Sequence, residues 1–202
     1  YGSKQANFKG ELLHSPPFVH LKVNFPKGVL YLNTNLTGDY NFENILAAAC
    51  VGNYFDIDPV DIQTALKNYQ PQNNRSQLIK KENLKIIMDA YNANPTSMQA
   101  SIKSFVSNAP ENSYLILGDM LELGEYSIDE HTAVLKLVEA YPRVKVYTVG
   151  EIFNQIASEF KCQSFLNVND LRKFLENNPI KNGNILIKGS RGIQLEKVLN
   201  LF

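Results

Sequence analysis

Three polar loops in the sequence carry side chains that could do chemistry. The first is DAYNANP, in which Asp89 offers two acceptor oxygens while Asn92 and Asn94 can each donate and accept hydrogen bonds. A carboxylate of this kind suits a pair of ribose hydroxyls or an ammonium group, and the amides suit a phosphate, an amide or a sugar. The alternative is that both asparagines only brace a turn, since Asn side chains mimic backbone hydrogen bonds there.

The second loop, GDMLELGE, is acidic. Asp119, Glu122 and Glu125 fall within seven residues, and neighbouring carboxylates can bind Mg²⁺ or an ammonium group. A solvated acidic loop is the simpler interpretation. His131 follows in the next predicted helix, where it either faces this loop or lies at the surface as a capping histidine.

The third loop, KGSRG, is basic. Lys188 and Arg191 could grip a carboxylate or a phosphate, and Arg191 could do so with two parallel hydrogen bonds. Gly189 would let backbone amides approach a ligand beside Ser190. A plain basic turn between a strand and a helix explains the same residues equally well.

A fourth polar signal lies near the beginning of the chain. In GDYNFENILAAA, Asn41 and Asn44 stand at the start of a helix of small residues. The free amides of a helix N-terminus can bind a polar group. Ordinary N-capping is the alternative.

These loops must be positioned by the elements around them. From residue 84 onward, apolar strands alternate with helices, which predicts a Rossmann-like, mostly parallel α/β sheet with helices on both faces. Ligands of such sheets lie outside the carboxyl ends of the strands, so the three loops should line one edge. The predicted strands are 84–89, 113–119, 144–150, 163–168 and 184–189, and the predicted helices are 95–106, 127–141 with a Ser127/Glu130 capping box, 151–160, 169–178 and 193–202.

The first third of the chain predicts a smaller α/β piece. It combines two strands with two helices, and Asp58 is expected to cap the second helix ahead of Pro59. The polar, breaker-rich stretch 70–77 is the predicted linker. The strands are expected at 18–23 and 28–33, and the helices at 41–55 and 56–69.

Composition excludes several functional classes. The 202 residues carry a net charge of +0, which argues against a broad nucleic-acid surface. No apolar run approaches the ~20 residues that span a bilayer, and residues 1–17 contain no apolar core of a signal peptide. Two cysteines and three scattered histidines predict neither a disulfide framework nor a zinc site. A soluble protein of a reducing compartment is expected, with small molecules as partners.

Familiar catalytic motifs are missing from the sequence. It contains no GxxxxGK[ST], GxGxxG or GxSxG and no Cys/His nucleophile pair. From the residues alone, the interpretation ends at an α/β domain with a carboxylate-bearing ligand edge.

Taken together and in order, the polar stretches resemble the Mur ligase family of peptidoglycan synthesis, and within it the D-alanyl-D-alanine-adding (MurF) type. YNANPTSM and LGDMLELGE are quite specific for that type. The resemblance runs from about residue 18 to the end. It is carried by TGDYNFENILAAA, Arg75 of QPQNNRSQ, IIMDAYNANPTSM, LILGDMLELGEYSIDEH and ILIKGSRG.

The resemblance implies a domain organisation. Residues 1–72 resemble the last part of the central ATP-binding domain, and residues 73–202 resemble the whole Rossmann-like C-terminal domain. A fragment of a longer enzyme is therefore expected, with the P-loop upstream of Tyr1.

The resemblance also implies roles for individual residues. Asn44 resembles an asparagine that meets the adenine, Arg75 an arginine that reaches the nucleotide phosphates, and Asp89 an aspartate that binds the ribose hydroxyls. Asn92 and Asn94 would face the nucleotide. The positions that resemble the pocket for the incoming amino acid are Lys188, Gly189, Ser190 and Arg191, with Asp119 and Glu122 as weaker candidates.

The implied reaction is an ATP-dependent peptide ligation through an acyl phosphate. It joins D-alanyl-D-alanine to UDP-N-acetylmuramoyl-tripeptide, and Mg²⁺ would be bound mainly by the missing part of the central domain. The enzyme would be a cytoplasmic monomer that serves cell-wall synthesis, and this chain alone would be inactive without a phosphate cradle.

Two alternatives stay open. One is another ligase of the same superfamily, including folylpolyglutamate synthase, with the same architecture and a different acceptor. The other is a stand-alone α/β binding module without catalysis, which the absence of a P-loop would support.

Overall fold

The computed structural model describes residues 1–2, 6–14, 18–107 and 109–202. The chain divides into two compact units, Tyr1–Pro71 and Gln72–Phe202. The break falls inside the polar stretch 70–77. That the first unit belongs to a central ATP-binding domain stays a prediction.

The first unit is built on a three-stranded antiparallel sheet. Leu21, Val23 and Phe25 alternate along the middle strand and are buried, as the strand period of two requires. The strand predicted over 18–23 begins and ends two residues later, and the first strand escaped prediction because only Gly10 in it is buried. In spatial order the strands are β1 (Lys9–His14), β2 (His20–Phe25) and β3 (Gly28–Asn33).

Two helices cover this sheet, and both were predicted. They are α1 (Phe42–Tyr54) and α2 (Pro59–Asn68). The apolar face of α1 packs on the buried face of the sheet. Asp58 caps α2, because its Oδ1 accepts a hydrogen bond from the Val60 N–H at 2.8 Å.

The second unit contains a six-stranded sheet in the order β4-β5-β9-β6-β7-β8. Every neighbouring pair is parallel except β4 and β5, which confirms the predicted mostly parallel sheet. The strands are β4 (Gln77–Lys81), β5 (Leu84–Asp89), β6 (Ser113–Gly118), β7 (Lys145–Val149), β8 (Gln163–Phe165) and β9 (Gly183–Lys188).

Helices flank this sheet on both faces. Along β6, Leu115 and Leu117 face one apolar core, and Tyr114 and Ile116 face the other. All six residues of β6 are buried, which explains its continuous apolar sequence. The helices are α3 (Pro95–Ser107), α4 (Ser127–Glu139) and α5 (Glu151–Ile156) on the first core, and α6 (Val168–Asn177) on the second.

Three features of this unit differ from the prediction. The Ser127/Glu130 capping box is wrong, because Ser127 already has helical angles and a 3₁₀ turn precedes it. The predicted helix 193–202 is 3₁₀ instead, since Gln194 adopts a left-handed conformation that interrupts it. Strand β4 was not predicted, because its residues are only partly buried.

Neither a disulfide nor a membrane-spanning helix accompanies this fold. Cys50 and Cys162 are both free thiols. Within the described ranges, every helix is too short or too polar to cross a bilayer.

Replacing the cap of α2 should destabilise the first unit. Asp58→Ala removes the acceptor of the Val60 N–H, so the free energy of unfolding should fall by about 1 kcal/mol. Asp58→Asn keeps an acceptor at the same place and is the matched control. Urea unfolding followed by circular dichroism measures both, and equal midpoints for the two variants would contradict the capping role.

Candidate functional site

The sheet topology brings the three polar loops to one edge. Strand β9 lies between β5 and β6 and is parallel to both, so their carboxyl ends are neighbours. Asp89, the last residue of β5, pairs in register with Lys188, the last residue of β9. The expectation that these loops share one edge is confirmed.

The Asp89 carboxylate lies inside the protein and is fully engaged. Its Oδ1 accepts hydrogen bonds from the Ser76 N–H at 3.0 Å and from the Ser76 hydroxyl at 3.3 Å. Its Oδ2 accepts from the Lys188 ammonium at 2.7 Å and from the Ser101 hydroxyl at 3.4 Å. Four protein donors thus engage this carboxylate, and its contact with ribose hydroxyls stays a prediction.

Lys188 is even more deeply buried than its partner. The residue is 2% exposed, and its ammonium forms a salt bridge with Asp89. A buried ion pair needs such partners, because each charge loses its hydration. The Lys188 ammonium therefore links the carboxyl ends of β5 and β9, and its role in ligand binding stays a prediction.

The two asparagines of the first loop brace the backbone. Asn94 Oδ1 accepts from the Ser97 N–H at 2.8 Å, and the Asn94 N–H donates to the Ser97 hydroxyl at 3.2 Å, so the pair caps α3 reciprocally. Asn92 Oδ1 accepts from the neighbouring Ala93 N–H at 2.9 Å. Both side chains are nevertheless exposed, and their nucleotide role stays a prediction.

In the acidic loop, Asp119 acts as the anchor of a helix. Its two carboxylate oxygens accept from the backbone amides of Ile152 and Phe153, both at 2.9 Å, at the start of α5. Gly150 makes room for this contact, because a Cβ there would lie 2.2 Å from the carboxylate. Glu122 is exposed and has positive φ. Of the two predicted acidic candidates, only Glu122 turns its carboxylate toward solvent.

His131, in α4, binds the backbone of the same loop. It is fully buried, its Nε2 accepts from the Met120 N–H at 2.9 Å, and its Nδ1 lies 2.6 Å from the Ser127 carbonyl. This pattern requires a neutral ring with the proton on Nδ1. Burial lowers the pKa of His131, against the opposing effects of the Ser127 carbonyl and of the Asp119 and Glu130 charges.

The basic loop is joined to the acidic loop. The Ser190 hydroxyl accepts from the Leu121 N–H at 2.9 Å, and the Ser190 N–H donates to the Asp119 carbonyl at 3.1 Å. Gly189 approaches β6 so closely that a Cβ would lie 2.8 Å from the Gly118 Cα. The backbone of this loop is therefore fixed, and Arg191 extends from it into solvent.

The ring of Tyr91 lies near both exposed arginines, Arg75 and Arg191. The Arg75 guanidinium carbon lies 3.7 Å from the centroid of the Tyr91 ring, and that of Arg191 lies 5.6 Å from it. Arg75, and after it Arg191, lower the pKa of the Tyr91 phenol. The sequence put Tyr91 in a polar loop but gave no sign that it pairs with residues far along the chain.

Sequence reasoning also missed Ser76 and Ser101. Both bind Asp89, yet neither belongs to a recognisable motif. The remaining candidate, Asn44, lies in the first unit, where its amide donates to the buried Asn41 Oδ1 at 3.0 Å. Its side chain is exposed, and its contact with adenine stays a prediction.

The mostly parallel α/β sheet, with polar loops at the carboxyl ends of its strands, defines an α/β ligand-binding domain. The comparison with family models identifies its family. Residues 74–191 match the family model described as "Mur ligase, glutamate ligase domain", and the chain belongs to the Mur ligase family. The chain is 34% identical over 173 residues to the UDP-N-acetylmuramoyl-tripeptide–D-alanyl-D-alanine ligase of Bacillus subtilis. That match covers 81% of this chain and 38% of the relative, so the chain spans about two fifths of such proteins.

Two of the solved structures with a similar fold are ligases of Acinetobacter baumannii and Thermotoga maritima. A UDP-N-acetylmuramoylalanyl-D-glutamyl-2,6-diaminopimelate–D-alanyl-D-alanyl ligase of Acinetobacter baumannii has a TM-score of 0.83 at 25% identity, covering 98% of this chain and 44% of that one. A MurF ligase of Thermotoga maritima, solved in complex with ADP, has a TM-score of 0.74 at 19% identity, covering 100% and 47%. The second likeness concerns the fold alone.

Removing the Asp89 carboxylate should destabilise the second unit strongly. Asp89→Ala leaves the buried Lys188 ammonium without its partner, so the free energy of unfolding should fall by roughly 3–5 kcal/mol. The double variant Asp89→Leu/Lys188→Met removes both charges and should recover most of this loss. Urea unfolding measures both, and an Asp89→Ala loss below about 1 kcal/mol would contradict the buried pair.

His131 should make the folded state weaker in mild acid. Because its folded pKa lies below the usual value of about 6.5, the unfolded chain takes up a proton that the folded chain resists. The free energy of unfolding should therefore decrease as the pH falls from about 6.5 toward the folded pKa. His131→Gln should flatten this dependence.

The exposed His14 provides the control for that experiment. His14→Gln should keep the same decrease between about pH 7.5 and about pH 5.5, measured by thermal unfolding. If His131→Gln retains the full pH dependence, the buried neutral imidazole is not its source.

Proposed function

We propose that the chain is part of an ATP-dependent amide ligase that adds D-alanyl-D-alanine to UDP-N-acetylmuramoyl-tripeptide. The observation that carries the proposal is the 34% identity to a relative named for this activity. The site supports it independently, because two exposed arginines stand at the strand ends where α/β proteins bind ligands. The product serves the synthesis of peptidoglycan precursors.

The nucleotide side of the proposed site centres on Arg75. Its exposed guanidinium suits a polyphosphate, because arginine binds phosphate oxygens with several donors at once. Asp89 contributes by anchoring the neighbouring Ser76, which fixes the loop that carries Arg75. Asn92 and Asn94 border the same loop edge, and Asn44 is proposed for the adenine. The ADP complex of the Thermotoga maritima ligase is consistent with ATP as the cosubstrate.

The acceptor side is proposed to use the loop that follows β9. Arg191 is the exposed cation of this loop and suits the terminal carboxylate of D-alanyl-D-alanine. Lys188, Gly189 and Ser190 hold the loop in place through the contacts described above. Glu122 and Asp119 belong to the loop that is hydrogen-bonded to this one, and exposed Glu122 is the better candidate for the acceptor ammonium.

The proposed chemistry proceeds through an acyl phosphate. The terminal carboxylate of the tripeptide attacks the γ-phosphorus of ATP and ADP leaves. The acceptor amine then attacks the acyl carbon, phosphate departs and the amine loses a proton as the amide forms. The arginines would position the anionic groups and offset their negative charge, which is how phosphoryl transfer is generally assisted.

Mg²⁺ is expected to accompany ATP and to be bound mainly by the missing part of the central domain. The described residues contain no group of three or more His, Cys, Asp or Glu side chains that could hold a metal ion. We propose a cytoplasmic monomer with small-molecule partners, because ATP and nucleotide-linked sugars are intracellular substrates.

The decisive experiment compares acceptors with the enzyme made from the complete gene. With ATP and UDP-N-acetylmuramoyl-tripeptide, D-alanyl-D-alanine should support phosphate release and product formation, whereas L-glutamate and D-glutamate should not. The glutamate controls matter because the matching family model is described as a glutamate ligase domain. Ligation of glutamate instead would favour a sister ligase.

The 202-residue chain should not ligate under the same conditions. Its sequence has no GxxxxGK[ST] phosphate cradle, and catalysis of this kind depends on holding the γ-phosphate. ATP-dependent product formation by the purified chain, measured by mass spectrometry, would contradict the proposed division of labour.

A further inference from the structure

Tyr91 lies between two positive charges that come from distant parts of the sequence. Arg75 precedes β4, Tyr91 follows β5, and Arg191 follows β9. The Arg75 guanidinium stacks on the ring at 3.7 Å, and the Arg191 guanidinium lies 5.6 Å from the ring centroid. Each positive charge lies within cation–π distance of the same ring, so the ring is the feature that the two arginines share.

Neither arginine is neutralised by a carboxylate. In the described parts of the chain the ion pair between charged side chains is Lys188 with Asp89, which is buried, and neither arginine takes part in one. Arg75 and Arg191 are exposed. A guanidinium that stacks through its face keeps its N–H donors free in the plane of the group. Beyond their contacts with Tyr91, the pair therefore presents two positive charges to solvent.

The backbone on both sides of the ring is fixed. Arg75 is followed by Ser76, whose N–H and hydroxyl bind the buried Asp89. Arg191 follows Ser190, whose hydroxyl accepts from the Leu121 N–H. Each arginine is therefore next to a residue whose position is fixed by hydrogen bonds. The contact with the ring then has to orient only the two arginine side chains.

We infer that Tyr91 is a positioning residue that holds Arg75 and Arg191 as a two-guanidinium clamp for a phosphate- or carboxylate-class oxyanion. This rests on the proposed function and deepens it. The clamp would join the arginine proposed for the nucleotide to the arginine proposed for the acceptor. Tyr91 acts through its ring face, not as an acid or base.

The test uses the 202-residue chain with inorganic tripolyphosphate as the probe, followed by titration calorimetry. Arg75→Gln and Arg191→Gln should each weaken binding by about tenfold, because each removes charge-assisted hydrogen bonds. Tyr91→Leu should weaken it by at least as much, although it removes no charge. Tyr91→Phe keeps the ring and should bind within about twofold of the unaltered chain.

Two controls separate positioning from general damage. Tyr126→Leu removes another exposed tyrosine from a loop of the same unit and should leave binding unchanged. In the Arg75→Gln/Arg191→Gln background, Tyr91→Leu should have no further effect, because a positioning residue acts only through the groups it holds. An effect of full size there would indicate a separate structural role and overturn the inference.

A spectroscopic signature gives a second readout. The ultraviolet difference between the unaltered chain and Tyr91→Phe isolates ionisation of the Tyr91 phenol. Its pKa should lie below the usual tyrosine value and should rise when tripolyphosphate binds, because the anion offsets the two guanidinium charges. A pKa that does not respond to Arg75→Gln or to saturating probe would contradict the clamp.

The outcomes also separate the clamp from the proposed function. If the chain does not bind tripolyphosphate, or if Tyr91→Leu binds like the unaltered chain, the clamp is wrong even where the complete enzyme ligates D-alanyl-D-alanine. If binding follows the expected series but the complete enzyme uses another acceptor, the clamp stands and the assigned reaction fails.

Discussion

The buried ion pair between Asp89 and Lys188 is the interaction on which the ligand edge depends. Two charges removed from water are stable only when every lone pair and proton finds a partner. Here the carboxylate receives four donors, from Ser76, Ser101 and Lys188. Those donors come from the segment before β4, from α3 and from the end of β9. One carboxylate thus fixes three pieces of chain that are far apart in sequence.

The strand order places three polar loops next to this ion pair, at one edge of the sheet. Because β9 lies between β5 and β6, the loops after all three strands emerge side by side. The residues nearest the sheet are buried and bind one another, whereas Arg75, one residue before Ser76, and Arg191, three residues after Lys188, reach solvent. Buried groups fix the positions of the loops, and the exposed groups a short distance away are available for contact with solvent or a ligand. The same division explains how a polar edge can be both rigid and available.

Much of this could be predicted from the sequence, and the failures have physical causes. Alternating apolar strands and helices predicted the parallel sheet, and its topology predicted that the three loops would meet. The burial of Lys188 was not predicted, because its partner Asp89 lies 99 residues away, beyond any local pattern. Tyr91 was passed over for the same reason. The capping box failed because a 3₁₀ turn already precedes Ser127, the residue at which the Ser-x-x-Glu pattern predicts the helix to begin.

The acidic loop has a fixed base at Asp119 and an exposed tip. The Asp119 N–H donates to Val149, its carbonyl accepts from Ser190, and its carboxylate holds the start of α5. A substitution there would disturb three neighbours at once. Only three residues later, Glu122 is exposed, and so is Glu125. Substitutions at the tip of the loop can therefore change the charge of this edge, while the base of the loop is held in place by the fold.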